Sequence, residues 1–137
     1  MKMMKAPFDI FGNIALIKFK DKTNVKDKRR FASKILHDNK SVRTVLEKIG
    51  KFKGRLRKQK TRWIAGEKTK EAVYRENDCV FRFNMDSVYF SPRLSNERKE
   101  IAKKIKKGDE VLVMFAGVAP YPIIIAKNSG AEKVYSN

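Results

Sequence analysis

The 137-residue sequence predicts an α+β domain over residues 1–90, followed over residues 91–137 by the opening of a parallel α/β unit. Three observations predict it. Residues 61–90 are rich in β-branched and aromatic side chains and are broken by turn residues. An amphipathic helical pattern at 26–36 stands among these strand signals, which makes the first zone mixed rather than all-β. Finally, "EVLVMFAGVAPYPIIIAK" at 110–127 reads as strand, tight turn and helix. Residues 111–115 form an apolar run of strand length, Gly117 interrupts it, and Pro120 stands where a helix begins. The proline ring presets φ, and the amide proton it lacks would have had no intrahelical partner. That order opens a nucleotide-binding α/β unit.

Taken along the chain, "FDIFGNIALIKF" at 8–19 places Gly12-Asn13 as a bend and predicts two short strands or one bent strand. In the helix at 26–36, Phe31, Ala32, Ile35 and Leu36 share a face, while Lys28, Arg29, Arg30 and Lys34 lie elsewhere. "SVRTVLEKIG" fits either regular structure, and its β formers Val42, Thr44 and Val45 favour a strand. Short antiparallel strands are expected at Val73 and Tyr74, at Val80, Phe81 and Phe83, and at Val88, Tyr89 and Phe90. Leu94, Ile101, Ala102 and Ile105 recur at helical spacing, predicting a helix over 95–107 that Ser95 or Asn96 caps and Gly108 ends. A last strand is expected at 133–136. A doubly wound sheet needs several βα units to cover its faces, so the second zone is expected to be cut short.

Charge bounds the function. Lys and Arg number 33 against 15 Asp and Glu, a formal charge of +18 and a pI near 10.2, while 42% of residues are hydrophobic. There is enough apolar material for a core, so the excess charge implies a polyanionic partner rather than disorder, and nucleic acid is the commonest one. Cys79 and His37 are each the sole residue of their type, which argues against a Cys-rich metal site or Ser-His-Asp chemistry and makes both structural. No metal is expected. No apolar run approaches the ~20 residues of a membrane span, and no secretory segment follows the N-terminal methionines, so a cytoplasmic location is expected.

The densest positive stretch is "KFKGRLRKQKTRW" at 51–63, with Lys51, Lys53, Arg55, Arg57, Lys58, Lys60 and Arg62 and no acidic residue. On a strand, Lys53, Arg55 and Arg57 would share one face, a comb able to follow phosphates. The competing reading is a solvated charged edge. Trp63, Tyr74 and the phenylalanines of 81–90 either stack on unpaired bases or fill the core, and the core is the commoner use.

"YFSPRLSNER" at 89–98 and "FAGVAPYPIIIAK" about 20 residues later carry a resemblance. Together they resemble the archaeal and eukaryotic tRNA (guanosine-37 N1)-methyltransferase family, as do "FDIFGNIALIKF", the Gly-x-x-Arg of "GRLR" at 54–57 and "WIAGEKTKEAVYREND" upstream. The resemblance covers nearly the whole chain. It implies a middle domain followed by the first βα unit of a truncated Rossmann-like (class I) methyltransferase domain, with S-adenosylmethionine as cofactor and tRNA as partner. It implies Glu97 as the base that removes the N1 proton of guanine and Arg57 as the cation that steadies O6. It further implies that Arg98 and the turn Phe115, Ala116, Gly117, Val118, Ala119 and Pro120 hold the cofactor. It also implies that Tyr89 and Arg93 shape the base pocket, while the charge of the basic stretch leads to the expectation that Lys53, Arg55 and Lys58 bind RNA. Without the resemblance, Glu97 reads as an ordinary first-turn carboxylate, Arg93 and Arg98 as solvated, and Tyr89 as core.

Two departures from the family pattern stand in the turn region. An acidic residue is usual where Val113 lies, and a second glycine where Ala119 lies. An acidic residue after the second strand, an Asn-Pro-Pro motif and an N-terminal tRNA-elbow module are absent from these 137 residues. The chain is therefore expected to be a fragment that binds RNA and turns over poorly alone, leaving open whether a second chain completes the sheet. A stand-alone basic RNA-binding module and a fragment of a wyosine-pathway aminocarboxypropyl transferase are the competing readings.

Overall fold

The structure, a computed structural model, describes residues 5–53 and 58–137. It divides into two compact units: residues up to Tyr74 with Arg82–Val88, and Arg75–Phe81 with Tyr89–Asn137. The predicted boundary near residue 90 differs from this by the tip of one hairpin, which counts with the second unit.

In the first unit, β1 (Phe8–Phe11) and β2 (Ile14–Ile17) form an antiparallel pair about the Gly12-Asn13 bend, as the sequence suggests. Gly12 has φ +63, and a Cβ there would lie 1.9 Å from the Val73 carbonyl oxygen, so the bend admits glycine alone. α1 (Val25–Asp38) crosses over to β3 (Thr44–Lys53), which runs parallel to β2, and β4 (Lys58–Gly66) returns antiparallel to β3. The sheet order is β1-β2-β3-β4. Asn24 caps α1 by accepting from the Asp27 amide at 2.8 Å. Ala32 and Ile35 face inward against Ala15, Ile17, Phe19, Val42 and Val45, the face predicted from their spacing. Burying side chains such as Ile17 and Val45 contributes ~1.5–3 kcal/mol each. Lys28 meets the buried Glu47 at 2.5 Å and stands over the Phe19 ring.

The expected strand at Val88, Tyr89 and Phe90 does not form. After β5 (Glu71–Glu76) and β6 (Cys79–Asn84), the chain turns through 85–87, with Ser87 donating to the Asn84 carbonyl, and then runs without a strand partner. The turn is held by Asp86, whose Oδ1 accepts from the Thr61 amide (3.0 Å) and hydroxyl (2.5 Å) and whose Oδ2 pairs with Lys70. Burial pushes the Asp86 carboxyl up, but the bonds from Lys70 and Thr61 outweigh it and hold it below its ordinary 3.8. A depressed carboxyl contributes stability above its unfolded value and loses it as pH falls through the folded one. The urea midpoint of the wild type is therefore expected to drop faster than that of Asp86→Asn on acidification below pH 3.8, narrowing the gap between them.

In the second unit, Asn77 and Asp78 both adopt left-handed φ (46° and 59°) at the hairpin tip, which short polar side chains tolerate. α2 spans Ser95–Lys104, shorter than predicted because Ile105 turns to extended backbone before the glycine at 108 is reached. Neither Ser95 nor Asn96 caps it: a 3-10 turn at Pro92–Leu94 runs straight into the helix, leaving Leu94 at the cap with no side-chain bond. β7 (Glu110–Val113), α3 (Pro120–Asn128) and β8 (Lys133–Ser136) form a strand-helix-strand crossover with β7 and β8 parallel. Pro120 begins α3 as predicted. Leu112, Met114 and Tyr135 of this unit are exposed, unusual for parallel strands, which are ordinarily covered on both faces.

Candidate active site

The site is built where α2 meets the start of α3. Arg98, read from sequence alone as solvated, is 2% exposed. Its guanidinium donates through Nε and Nη2 to both oxygens of Glu76, the latter at 2.8 Å, and through Nη2 to the Ser91 carbonyl at 2.9 Å. It lies 4.9 Å from the Phe90 ring centroid and 5.7 Å from that of Tyr121. A buried charge persists only when it is paired and hydrogen-bonded in this way. The side chain is thus committed to protein partners and fixes the first turn of α2.

One residue earlier, Glu97 is exposed, and its Oε1 accepts a hydrogen bond from the Tyr121 hydroxyl at 2.7 Å. Burial, then this bond to Glu97, pushes the Tyr121 phenol up to about 12, so it remains a proton donor throughout the physiological range. Tyr121 is the second residue of α3, directly after the bend. This bond ties Glu97 to α3 two residues beyond the bend.

The bend itself has alternating backbone hand: Phe115, Gly117 and Ala119 take φ of 57°, 60° and 61°. Alternation of this kind turns successive amides to one side, a concavity suited to anionic or polar ligand atoms. Asn137 already occupies part of it, its Oδ1 accepting from the Phe115 amide (3.3 Å) and its backbone oxygen from the Ala116 amide (2.9 Å). Pro120 and Pro122 have no amide proton, Ile123 donates to the Ala119 carbonyl, and Ala119 to that of Ala116. At the helix N-terminus Tyr121 alone therefore supplies a free donor, and Gly117 and Val118 add theirs from the bend. Nothing lies within 4 Å of where a Gly117 Cβ would be, so the bend is open on that side. Phe115 is 90% exposed beside it. An open face with three available amides fits a ligand such as S-adenosylmethionine, whose carboxylate and ribose oxygens accept hydrogen bonds.

Ala119 does not shift the turn away from the left-handed conformation that glycine favours; it adopts that conformation and bears the strain. Left-handed φ costs an L-residue ~1–2 kcal/mol, and glycine loses ~0.4–1 kcal/mol to its freer unfolded chain. Ala119→Gly is therefore expected to raise stability by a net ~0.5–1 kcal/mol, read from the urea midpoint.

The remaining predicted residues are scattered in role. Tyr89 is 46% exposed and Arg93 is exposed, both in the segment leading into α2. In the first unit, Lys58 is exposed and pairs in register with Lys53 across β3 and β4. Arg55 and Arg57 lie outside the described residues, as does the side chain of Lys53. Phe81, Phe83 and Phe90 are core, and Trp63 is 37% exposed with Lys68 over its ring. His37 bonds Asp38 at the surface, and burial pushes the Cys79 thiol up, as suits a structural residue. No cluster able to hold a metal ion occurs among the described residues, and none of their helices is long and apolar enough to cross a membrane. Sequence reasoning missed Glu76, Tyr121 and Asn137.

The domain description "TRM5/TYW2 methyltransferase domain" matches residues 72–137, and "TYW2 N-terminal domain" matches residues 1–69. The chain belongs to the TRM5/TYW2 family. Among its relatives, the tRNA (guanine(37)-N(1))/4-demethylwyosine(37)-methyltransferase Taw22 of Nanoarchaeum equitans is 44% identical over 88% of this chain and 39% of its own. The crystal structure of Trm5b from Pyrococcus abyssi superposes with a TM-score of 0.82 at 37% identity, covering 95% of this chain and 38% of that one. The structure of aTrm5 in complex with tRNALeu superposes with a TM-score of 0.83 at 28% identity, over 95% of this chain and 38% of that one. This family member spans 39% of the length of its Nanoarchaeum equitans relative and 24% of that of the human tRNA (guanine(37)-N(1))-methyltransferase.

Proposed function

We propose that the chain forms the RNA-facing domain and the start of the catalytic domain of a methyltransferase that modifies N1 of guanosine 37 in tRNA. The single observation that carries this is the Glu97 carboxylate held by Tyr121 at the first turn of α3, beside the open bend at 115–119. The amides of Gly117, Val118 and Tyr121 are the groups that would hold S-adenosylmethionine. When bound, the cofactor supplies an electrophilic methyl group. N1 of guanine carries a proton at neutral pH, and Glu97 would take it through the oxygen that Tyr121 leaves free. The charge that this loss moves toward O6 would be steadied by a cation, for which Arg57 is the proposed residue, and N1 would take the methyl group as its bond to the cofactor's sulfur breaks, leaving a neutral thioether. Arg98 contributes by fixing α2 through Glu76, so that the neighbouring Glu97 keeps its place. The +18 charge, with Lys58 exposed at the start of β4, supplies the attraction for tRNA.

The aminocarboxypropyl transferase remains the second reading, because residues 1–69 match a domain described for TYW2. Two labels on the same cofactor separate the readings. A tRNA transcript with guanosine at 37 is incubated with S-adenosylmethionine labelled in its methyl group or in its carboxyl group. Slow entry of methyl label alone into guanosine 37 is expected; carboxyl label entering the tRNA would establish the second reading.

A further inference from the structure

We infer that Tyr121 is a positioning residue for Glu97: its hydroxyl fixes one carboxylate oxygen and thereby aims the other at the substrate proton. This rests on the reading of Glu97 as the base. Glu97 is exposed on the first turn of a short helix, and a free glutamate there samples several rotamers. Two features remove that freedom. The 2.7 Å bond from Tyr121 engages Oε1, while Oε2 has no partner among the described residues and keeps its lone pairs for a proton. The Tyr121 ring is itself held, because it lies over the guanidinium of Arg98, which is locked by Glu76 and Ser91. The order runs from a buried ion pair, through a stacked ring and a phenol, to the carboxylate. Each link joins residues that are 22 to 24 apart in sequence, or neighbours.

Arg98 and Glu76 face the Tyr121 hydroxyl from the packed elements, the first favouring its ionisation and the second opposing it. Removing the hydroxyl withdraws the donor that holds Glu97 Oε1. The test is Tyr121→Phe in the 137-residue chain, with the rotamer-sensitive side-chain couplings of Glu97 read by NMR and assigned by Glu97→Gln. The phenylalanine keeps the ring over Arg98, and an unchanged amide spectrum away from residues 95–98 and 119–123 shows that the fold is kept. The Glu97 couplings are expected to change from those of one dominant rotamer to an average over several. Couplings superimposable on those of the wild type overturn the proposal. Methyl transfer to tRNA is then compared: a lower kcat with unchanged KM for tRNA supports positioning. If the Glu97 couplings average while Glu97→Gln leaves methyl transfer intact, Tyr121 still positions Glu97, and the assignment of Glu97 as base is what fails.

Discussion

Glutamine in place of Glu97 is expected to slow methyl transfer to guanosine 37 by ~10²–10⁴-fold, the usual contribution of a placed general base. The substitution is nearly isosteric, and its amide oxygen still accepts from the Tyr121 hydroxyl, so local geometry survives. What it loses is the ability to take the N1 proton. KM for tRNA should therefore stay within about twofold, and the loss should fall on the rate constant measured at saturating tRNA and cofactor. An effect confined to KM would mean that Glu97 touches the RNA without serving as a base.

Methionine in place of Arg98 is expected to destabilise the second unit by ~3–5 kcal/mol, because the buried Glu76 carboxylate would lose the guanidinium that binds both its oxygens. Thermal or urea unfolding of that unit reads this directly. The pair is worth far less than the damage done by breaking it. Replacing Glu76 and Arg98 together by leucine and methionine should recover most of the loss, since two well-packed apolar side chains forgo the desolvation penalty of both charges. If the double substitution is as unstable as the single one, the destabilisation comes from lost packing against Phe90 and Tyr121 rather than from an orphaned charge.

Much of this was legible in the sequence where local chemistry decides. Gly12-Asn13 marks a bend that only glycine can make, the 26–36 periodicity names the buried Ala32 and Ile35, and Pro120 marks the start of α3 because its constraints suit that position. The failures came where a distant partner decides. Val88, Tyr89 and Phe90 are good strand formers, yet Asp86 pins the preceding turn to Thr61 and Lys70 and no strand partner meets them. Arg98 belongs to a residue type that is ordinarily solvated, and its burial is dictated by Glu76, 22 residues earlier. At the site, the pairing of Glu97 with the bend was implied by resemblance; the bond that produces it, Tyr121 to Glu97, joins two residues 24 apart and no periodicity announces it.

The central claim is that the bend at 115–119 and the Glu97 carboxylate form one pocket for S-adenosylmethionine. An amide NMR titration of the chain with S-adenosylmethionine tests it most directly. The account predicts that Gly117, Val118 and Tyr121 shift together along one binding curve, with the Glu97 carboxyl carbon following the same curve. Saturable shifts confined to the first unit, or no shift at millimolar cofactor, would contradict it.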